Sequence, residues 1–327
     1  INNKQYKEAL DALNELPPDD QDVKKLELTG YCMEGMEQYK EAEEYADHAL
    51  SLDAASALAL NLKGVLAYRQ GDNSMAEDFF NRAIASDPGF GEPYTNLGAL
   101  KLAMGNQEEA LDLYERGFIL SPTIMDIVTI YHSAVTDLGA FEKTEPVFRD
   151  AITLHPQNRR VKYLFIDILI KQDKHDLAIE EIEGAMVAFG IDDGLLSAAL
   201  KVREALGPEK IDEKSNRKDT ISLCMIVKNE EQHLAKCLKS LKPVVDEMIV
   251  VDTGSTDMTR NIARVFGARV YDVEWTDDFS EARNYSIAKA HGKWILVMDA
   301  DEVISPFDYG ALRKLVKKST PRPVAYF

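Results

Sequence analysis

The sequence has few cysteines and no long apolar runs. Its 327 residues include three cysteines, Cys32, Cys224 and Cys237, whose spacing matches neither a metal site nor a disulfide framework. No run reaches the ~18 apolar residues that a membrane-spanning helix needs. We therefore expect three buried thiols in a reducing compartment, and we predict a cytoplasmic protein with no membrane span.

Positive charge is also scarce. The chain carries 38 Lys and Arg against 56 Asp and Glu, so its formal net charge at pH 7 is −18, and its pI is about 4.8. A nucleic-acid-binding protein needs basic residues that neutralise phosphates, and an anionic membrane surface attracts a protein by the same charges. This composition therefore argues against nucleic acid as a partner and against charge-driven membrane docking.

Two glycine motifs that hold phosphates are missing. The dinucleotide fingerprint GxGxxG and the phosphate loop GxxxxGK[ST] do not occur, and no Gly-rich loop with a basic end follows the first apolar run of the last third. Those motifs cradle phosphate oxygens with backbone N–H groups. A diphosphate bound by this chain would have to be held in another way, for which an acidic pair with a divalent cation is the physical alternative.

The first two-thirds of the chain repeats with a period of 34 residues. Small and turn-forming residues recur at this interval: Gly30, Gly64 and Gly98; Gly71, Gly105 and Gly139; Ala42, Ala76 and Ala110; Pro88, Pro122 and Pro156. Each unit is typical of a helix, a turn and a second helix, and the small residues allow the two helices to approach closely. Gly105 is expected to end its helix as a glycine cap.

This period and small-residue pattern resemble the tetratricopeptide (TPR) repeat. We count a half unit at 6–20, five full units over 23–192 and a closing helix at 194–206, which together form a predicted domain at 1–206. Because a repeat array needs a capped end, we expect Ile1 to lie inside a longer protein. A charged segment that opens with Gly-Pro predicts a linker at 207–219.

The resemblance implies a binding surface along the first helices of the repeats. The matching inner positions include Tyr31, Asn61, Thr95 and Asn96. No basic set accompanies Asn96, so a clamp for a C-terminal carboxylate is not expected. The mixture of polar and apolar residues favours an extended protein or peptide partner.

From Thr220 the pattern changes to short apolar runs that alternate with amphipathic helices. The predicted strands cover 221–227, 247–251, 268–273 and 294–298, and the predicted helices cover 230–241, 257–266 and 280–290. This alternation predicts βαβ units and a parallel sheet, whose ligands bind at the carboxyl ends of the strands. Polar segments follow each predicted strand, at 228–231, 252–257, 275–284 and 299–302.

The fourth apolar run ends in a cluster of acids. Trp294 to Met298 predicts a fully buried strand, and Asp299, Asp301 and Glu302 follow it directly. Burying unpaired charge is very costly. These acids therefore either face water in a turn or share a cation.

These ordered segments, from "SLCMIVKNEE" and "VVDTGSTD" to "DDFSEARN" and "VMDADE", resemble the nucleotide-binding half of a family-2 glycosyltransferase with the GT-A fold. The resemblance covers 220–327. It implies that Asp252 contacts the nucleoside base, that Arg283 lies near the base and diphosphate, and that Val227, Asn229 and Glu230 line the base pocket. It also implies that Asp301 is a metal ligand and that Asp299 contacts ribose or the metal.

Carboxylates and phosphate oxygens suit Mg²⁺ or Mn²⁺. The sequence therefore predicts a multidomain protein in which an all-α TPR solenoid precedes an α/β GT-A domain with a mostly parallel, Rossmann-like sheet, incomplete at its C-terminus. By resemblance, the expected activity is metal-dependent, inverting sugar transfer from a nucleotide sugar, with a UDP-sugar favoured, to a protein or peptide acceptor. The alternative is a non-enzymatic TPR scaffold with a vestigial α/β domain. The catalytic base is expected beyond Phe327.

Overall fold

The computed structural model describes residues 3–16, 22–207 and 219–317. Most of the predicted linker and the final segment 321–327 lie outside these residues. The chain forms two compact units, Ile1–Val161 and Lys162–Phe327. The contact division therefore lies inside the predicted repeat array, and each unit is described by itself.

The first unit is entirely helical in its described residues. Its helices are α1 (Asn3–Glu15), α2 (Val23–Gly35), α3 (Tyr39–Leu52), α4 (Ala57–Arg69), α5 (Asn73–Ser86), α6 (Gly91–Ala103), α7 (Gln107–Leu120), α8 (Met125–Leu138) and α9 (Phe141–Leu154), and α10 (Arg159–Lys171) begins at its end. None of the described helices has the length and apolar character to cross a membrane.

The repeated glycines lie where two helices touch. A Cβ atom built on Gly64 would lie 2.5 Å from the Phe80 ring, and one on Gly98 would lie 2.9 Å from the Tyr114 ring. Both distances are too short for a real contact, so a larger residue would overpack the pair. Gly105 follows α6 with φ of +85°, a left-handed conformation that glycine adopts without strain. The small-residue pattern thus has the packing role that the sequence predicts.

The second unit joins two further helices to a parallel sheet. After α10 come α11 (His175–Phe189), α12 (Asp193–Leu206), β1 (Ile221–Val227), α13 (Leu234–Leu241), β2 (Glu247–Asp252), α14 (Thr259–Val265), β3 (Arg269–Asp272), α15 (Phe279–Ala288), β4 (Trp294–Val297), a 3₁₀ turn (Pro306–Asp308) and α16 (Tyr309–Lys317). The strand order is β3-β2-β1-β4, and each neighbouring pair is parallel. The predicted fold class, a TPR-like solenoid followed by a small parallel-sheet domain, is confirmed.

Strand β4 differs from its prediction. It pairs with β1 and lies at the edge of the described sheet, and its exposure alternates, with Ile295 and Val297 each 38% exposed. The prediction of a fully buried strand at this position is therefore wrong. The fully buried strand is β2, which has a neighbour on each side.

An ionic cluster joins the last helices of the array to the sheet domain within the second unit. The buried Glu183 carboxylate of α11 lies 3.2 Å from Lys239 Nζ and 2.5 Å from Lys242 Nζ, and both lysines are at the C-terminal end of α13. Arg203 of α12 lies 3.5 Å from the same carboxylate, and its Nε and Nη2 donate to the carbonyl oxygen of Val265 at 2.9 and 2.8 Å. Helices α11 and α12 are thus bound to the sheet domain by charge-assisted hydrogen bonds.

Candidate functional site

The carboxyl ends of the four strands lie at one edge of the sheet because all the strands are parallel. The segments that follow them are 228–231 after β1, 253–258 after β2, 273–278 after β3 and 298–302 after β4. The structure therefore brings the predicted polar segments to a common edge, which is where parallel α/β sheets bind ligands.

The first two of these segments are joined by hydrogen bonds in both directions. Backbone N–H groups of the first segment donate to side chains of the second and of the start of α14: Asn229 to Ser255 Oγ at 2.8 Å, Glu231 to Asp257 Oδ2 at 3.2 Å and Glu230 to Thr259 Oγ1 of α14 at 2.7 Å. Backbone N–H groups of the second segment donate to side chains of the first: Thr256 to Asn229 Oδ1 at 2.8 Å and Met258 to Glu231 Oε2 at 3.1 Å. This reciprocal pairing fixes both segments relative to each other.

Three predicted pocket residues have local structural roles here. Asn229 has φ of +57°, and its amide oxygen is occupied by Thr256. Val227 is buried at the end of β1, and its carbonyl accepts from both the backbone N–H and the Oγ1 of Thr253. The Glu230 carboxylate lies 3.1 Å from His233 Nδ1. Contact of any of the three with a nucleotide stays a prediction.

Asp252 uses its two carboxylate oxygens differently. Oδ1 accepts the backbone N–H groups of Gly254 at 3.0 Å and Ser255 at 2.9 Å. Oδ2 has no hydrogen-bond partner among the described residues, although the residue is only 1% exposed. An unpaired buried carboxylate oxygen is costly, and a donor from a ligand would remove that cost.

Two of the predicted ligand-binding residues lie together. Arg283 of α15 is half-buried, and its Nη2 lies 3.7 Å from Oδ1 of Asp299 in the segment after β4. Asp299 is 72% exposed on its side chain, and Asp301 is exposed as well. Arg283, Asp299 and Asp301 therefore present a guanidinium and two solvent-facing carboxylates at the edge of the sheet.

Two side chains of α13 form hydrogen bonds with the backbone of the acidic segment, 298–302, and of Ile304. Cys237 Sγ donates to the carbonyl oxygen of Asp299 at 3.6 Å, and Ser240 Oγ accepts the Ile304 N–H at 3.1 Å. Burial, with smaller contributions from the charges of Glu302, Asp301 and Asp299, raises the pKa of the Cys237 thiol to about 12. Sequence reasoning missed these two supports, and the signal that it overlooked is their spacing of three residues on one helix.

The two carboxylates fit a cation that is shared with phosphate. No group of three or more His, Cys, Asp and Glu residues in the described ranges could hold a metal ion by itself. Mg²⁺ at nucleotide sites is held by one or two carboxylates, with substrate phosphates and waters completing its shell. Asp299 and Asp301 match that donor set, whereas a closed metal centre made only of protein ligands does not fit the described residues.

The repeat helices use several of the predicted inner positions for their own packing. Asn61 is fully buried; its Nδ2 donates to the Tyr31 hydroxyl at 2.6 Å and its Oδ1 accepts from Asn96 Nδ2 at 3.0 Å. Thr95 is buried, and its hydroxyl donates to the Gly91 carbonyl. The expectation that Asn61 and Thr95 face a partner is wrong, because both side chains are enclosed between helices.

Two stretches of the chain match models of known protein families. Residues 222–322 match the family model of glycosyl transferase family 2. A second stretch, 34–89, matches a tetratricopeptide repeat model. The predicted resemblance to both families is therefore confirmed over these two stretches.

Curated relatives match each part separately. The SPbeta prophage-derived glycosyltransferase SunS of Bacillus subtilis is 39% identical over 103 residues, which cover 30% of this chain and 24% of that protein. A TPR repeat-containing protein of Synechococcus elongatus is 57% identical over 82 residues, which cover 25% of this chain and 20% of that protein. This chain thus spans about a fifth to a quarter of the length of these relatives.

The crystal structure of yeast Tom70 aligns with a TM-score of 0.45 and 18% identity, covering 62% of this chain and 43% of that chain.

Proposed function

We propose that the protein is a glycosyltransferase that takes a sugar from a nucleotide-diphosphate sugar, with a UDP-sugar favoured, and transfers it with inversion to an acceptor. The observation that carries the proposal is the Arg283–Asp299 pair beside Asp301 at the carboxyl edge of a family-2 domain. A cation and a guanidinium at one site supply the positive charges that bind a diphosphate.

Different residues at this edge bind different parts of the nucleotide-sugar donor. Oδ2 of Asp252 accepts a hydrogen bond from a ring N–H of the base, which satisfies an oxygen that otherwise has no partner. Arg283 binds diphosphate oxygens, since a guanidinium offers planar paired donors to phosphate. Asp299 and Asp301 hold Mg²⁺ or Mn²⁺ against the same diphosphate. A bound divalent cation supplies neutralisation of the negative charge that develops on the leaving group.

The acceptor is proposed to be a protein or peptide bound by the repeats. Repeat helices α1 to α9 lie in the first unit of the chain, and repeat arrays bind partners along an extended surface. Asn96, at the end of the Tyr31–Asn61–Asn96 series, is half-buried and accessible to a ligand. It is therefore the inner position that we expect a peptide to contact.

The test is titration calorimetry of the full chain with UDP and GDP, each in Mn²⁺ and in EDTA. We expect UDP to bind more tightly in Mn²⁺, and Asp301→Asn to remove most of that difference because it deletes a charged ligand of the cation. Asp308→Asn is the matched control, since Asp308 is another exposed acid, seven residues further along the chain. Equal UDP affinity in Mn²⁺ and EDTA would contradict metal dependence, and no nucleotide binding at all would favour the scaffold alternative.

A further inference from the structure

A pair of aromatic rings, Trp275 and Phe279, lies where the segment after β3 enters α15, the helix that carries Arg283. Phe279 is 68% exposed, which is unusual for so large an apolar side chain. Its ring centroid lies 4.7 Å from that of Trp275, and the ring planes meet at 73°. Edge-to-face packing of this kind is favourable and directional. It leaves a face of the Phe279 ring open to solvent.

The pair is held in a defined position. The indole N–H of Trp275 donates to Asp277 Oδ1 at 2.8 Å, and Asp277 has φ of +62°, a conformation that non-glycine residues adopt rarely. Asp278 caps α15 by accepting the Ser280 N–H at 2.7 Å. Because the turn and the helix start are both fixed, Phe279 is exposed and yet ordered in orientation.

The pair also lies between the residues that the proposed function uses. Phe279 is the first residue of α15, and Arg283 follows one turn later on the same helix face. On the other side, the N–H of Val273 donates to the carbonyl of Asp252 at 2.9 Å, two residues before Trp275. Along the chain, the aromatic pair therefore lies between the residue that is bonded to the end of β2 and Arg283.

We infer that Phe279, oriented by Trp275, stacks on the nucleobase of the donor; this inference rests on the proposed function. Asp252 accepts a hydrogen bond from the edge of the base, and Phe279 covers its face. A base has a π-face whatever its hydrogen-bonding pattern, so stacking adds affinity while the Asp252 carboxylate adds selectivity. The Arg283 guanidinium, one turn further along α15, then binds the diphosphate.

The experiment compares UDP and pyrophosphate binding in Mn²⁺ for the full chain and its variants. Phe279→Ala is expected to weaken UDP about tenfold or more, the effect of losing one stacked base, and to leave pyrophosphate unchanged. Phe279→Tyr keeps the ring and should bind UDP as the parent does. Phe307→Ala is the matched control, because Phe307 is 96% exposed in another segment of the same domain.

The outcomes separate this inference from the function beneath it. If the parent binds UDP and Phe279→Ala binds it equally well, the stacking inference fails and the proposed function stands. Equal weakening of UDP and pyrophosphate would give Phe279 a structural role and overturn the inference. If a UDP-sugar, titrated in the same way, binds Phe279→Ala more weakly while UDP does not, the sugar ring lies on Phe279 and the inference is overturned. If the parent binds no nucleotide, both proposals fail.

Discussion

At the scale of single residues, Asp252 shows how one side chain can serve both the fold and a ligand. Its Oδ1 closes the turn after β2 by accepting two backbone N–H groups, while Oδ2 stays buried without a partner in the described structure. The sequence places this acid at a strand end and so predicts a ligand contact. The division of labour between its two oxygens depends on the turn geometry, which the sequence does not reveal.

Asp252→Asn separates the two roles. The amide oxygen can still accept the N–H groups of Gly254 and Ser255, but an NH₂ group replaces Oδ2 and faces the base with a donor. Losing a hydrogen bond to a charged group costs ~1.5–3 kcal/mol, so we expect UDP to bind about 10- to 150-fold more weakly. Pyrophosphate affinity, measured in the same calorimeter, should not change. A parallel loss for both ligands would mean that Asp252 acts on the phosphate side or only on the fold.

At the scale of secondary-structure elements, the sequence predicts kind and position well. The apolar runs mark all four strands, and the 34-residue period marks the helices of the solenoid. The order of the strands in the sheet is harder to predict. The run at 294–298 has the composition of a central strand, yet β4 lies at the edge of the described sheet. A short apolar run reports average burial and carries no information about strand order.

The same limit explains the inner positions of the repeats. A period of 34 places Asn61 and Thr95 on the first helices, as expected for residues that could face a partner. Whether such a side chain meets a ligand or a neighbouring helix depends on packing across the repeat. Asn61 is enclosed because Tyr31 and Asn96 bind it from two adjacent helices.

Helix α13 supports the acidic segment, and Ser240 is its testable contact. In Ser240→Ala the N–H of Ile304 loses its acceptor, and a lost hydrogen bond costs ~1 kcal/mol. The segment that carries Asp299 and Asp301 should then be less well positioned. We expect UDP affinity in Mn²⁺ to fall about fivefold, with little change in EDTA.

Lys236→Ala is the control for that experiment, because Lys236 is exposed on the same helix and removing its side chain leaves the acidic segment untouched. If Ser240→Ala lowers the affinity equally in Mn²⁺ and EDTA, the hydrogen bond stabilises the domain in general and does not position the two carboxylates.

At the scale of the whole molecule, the contacts divide the chain differently from the covalent linker. The last helices of the array belong to the same compact unit as the sheet. Glu183 explains part of this, because its buried carboxylate is bound by two lysines of α13 and by Arg203 of α12. A linker composition predicts where one domain ends and the next begins, but it does not reveal which side chains of the two domains contact each other.

Truncation at two positions tests this division. A chain that begins at 159 keeps α10, α11 and α12 with the sheet, and we expect it to bind UDP in Mn²⁺ as the full chain does. A chain that begins at 219 loses Glu183 and Arg203. Lys239, Lys242 and the Val265 carbonyl then lose their partners, so we expect lower thermal stability. Thermal unfolding followed by circular dichroism, together with UDP titration, measures both effects.

A point variant separates the effect of the ionic cluster on stability from the effect of deleting α11 and α12. Glu183→Gln in the full chain removes the charge that offsets three cations, and breaking a buried ion pair costs about 3–5 kcal/mol. Glu180→Gln, on the same helix but exposed, should unfold as the parent does. Suppose that Glu183→Gln unfolds at the same temperature as the parent, and that the chain from 219 unfolds at the same temperature as the chain from 159. Then α11 and α12 contribute nothing to the stability of the sheet domain. If only the shorter chain is destabilised, apolar packing of α11 and α12 is the cause, and the cluster serves orientation alone.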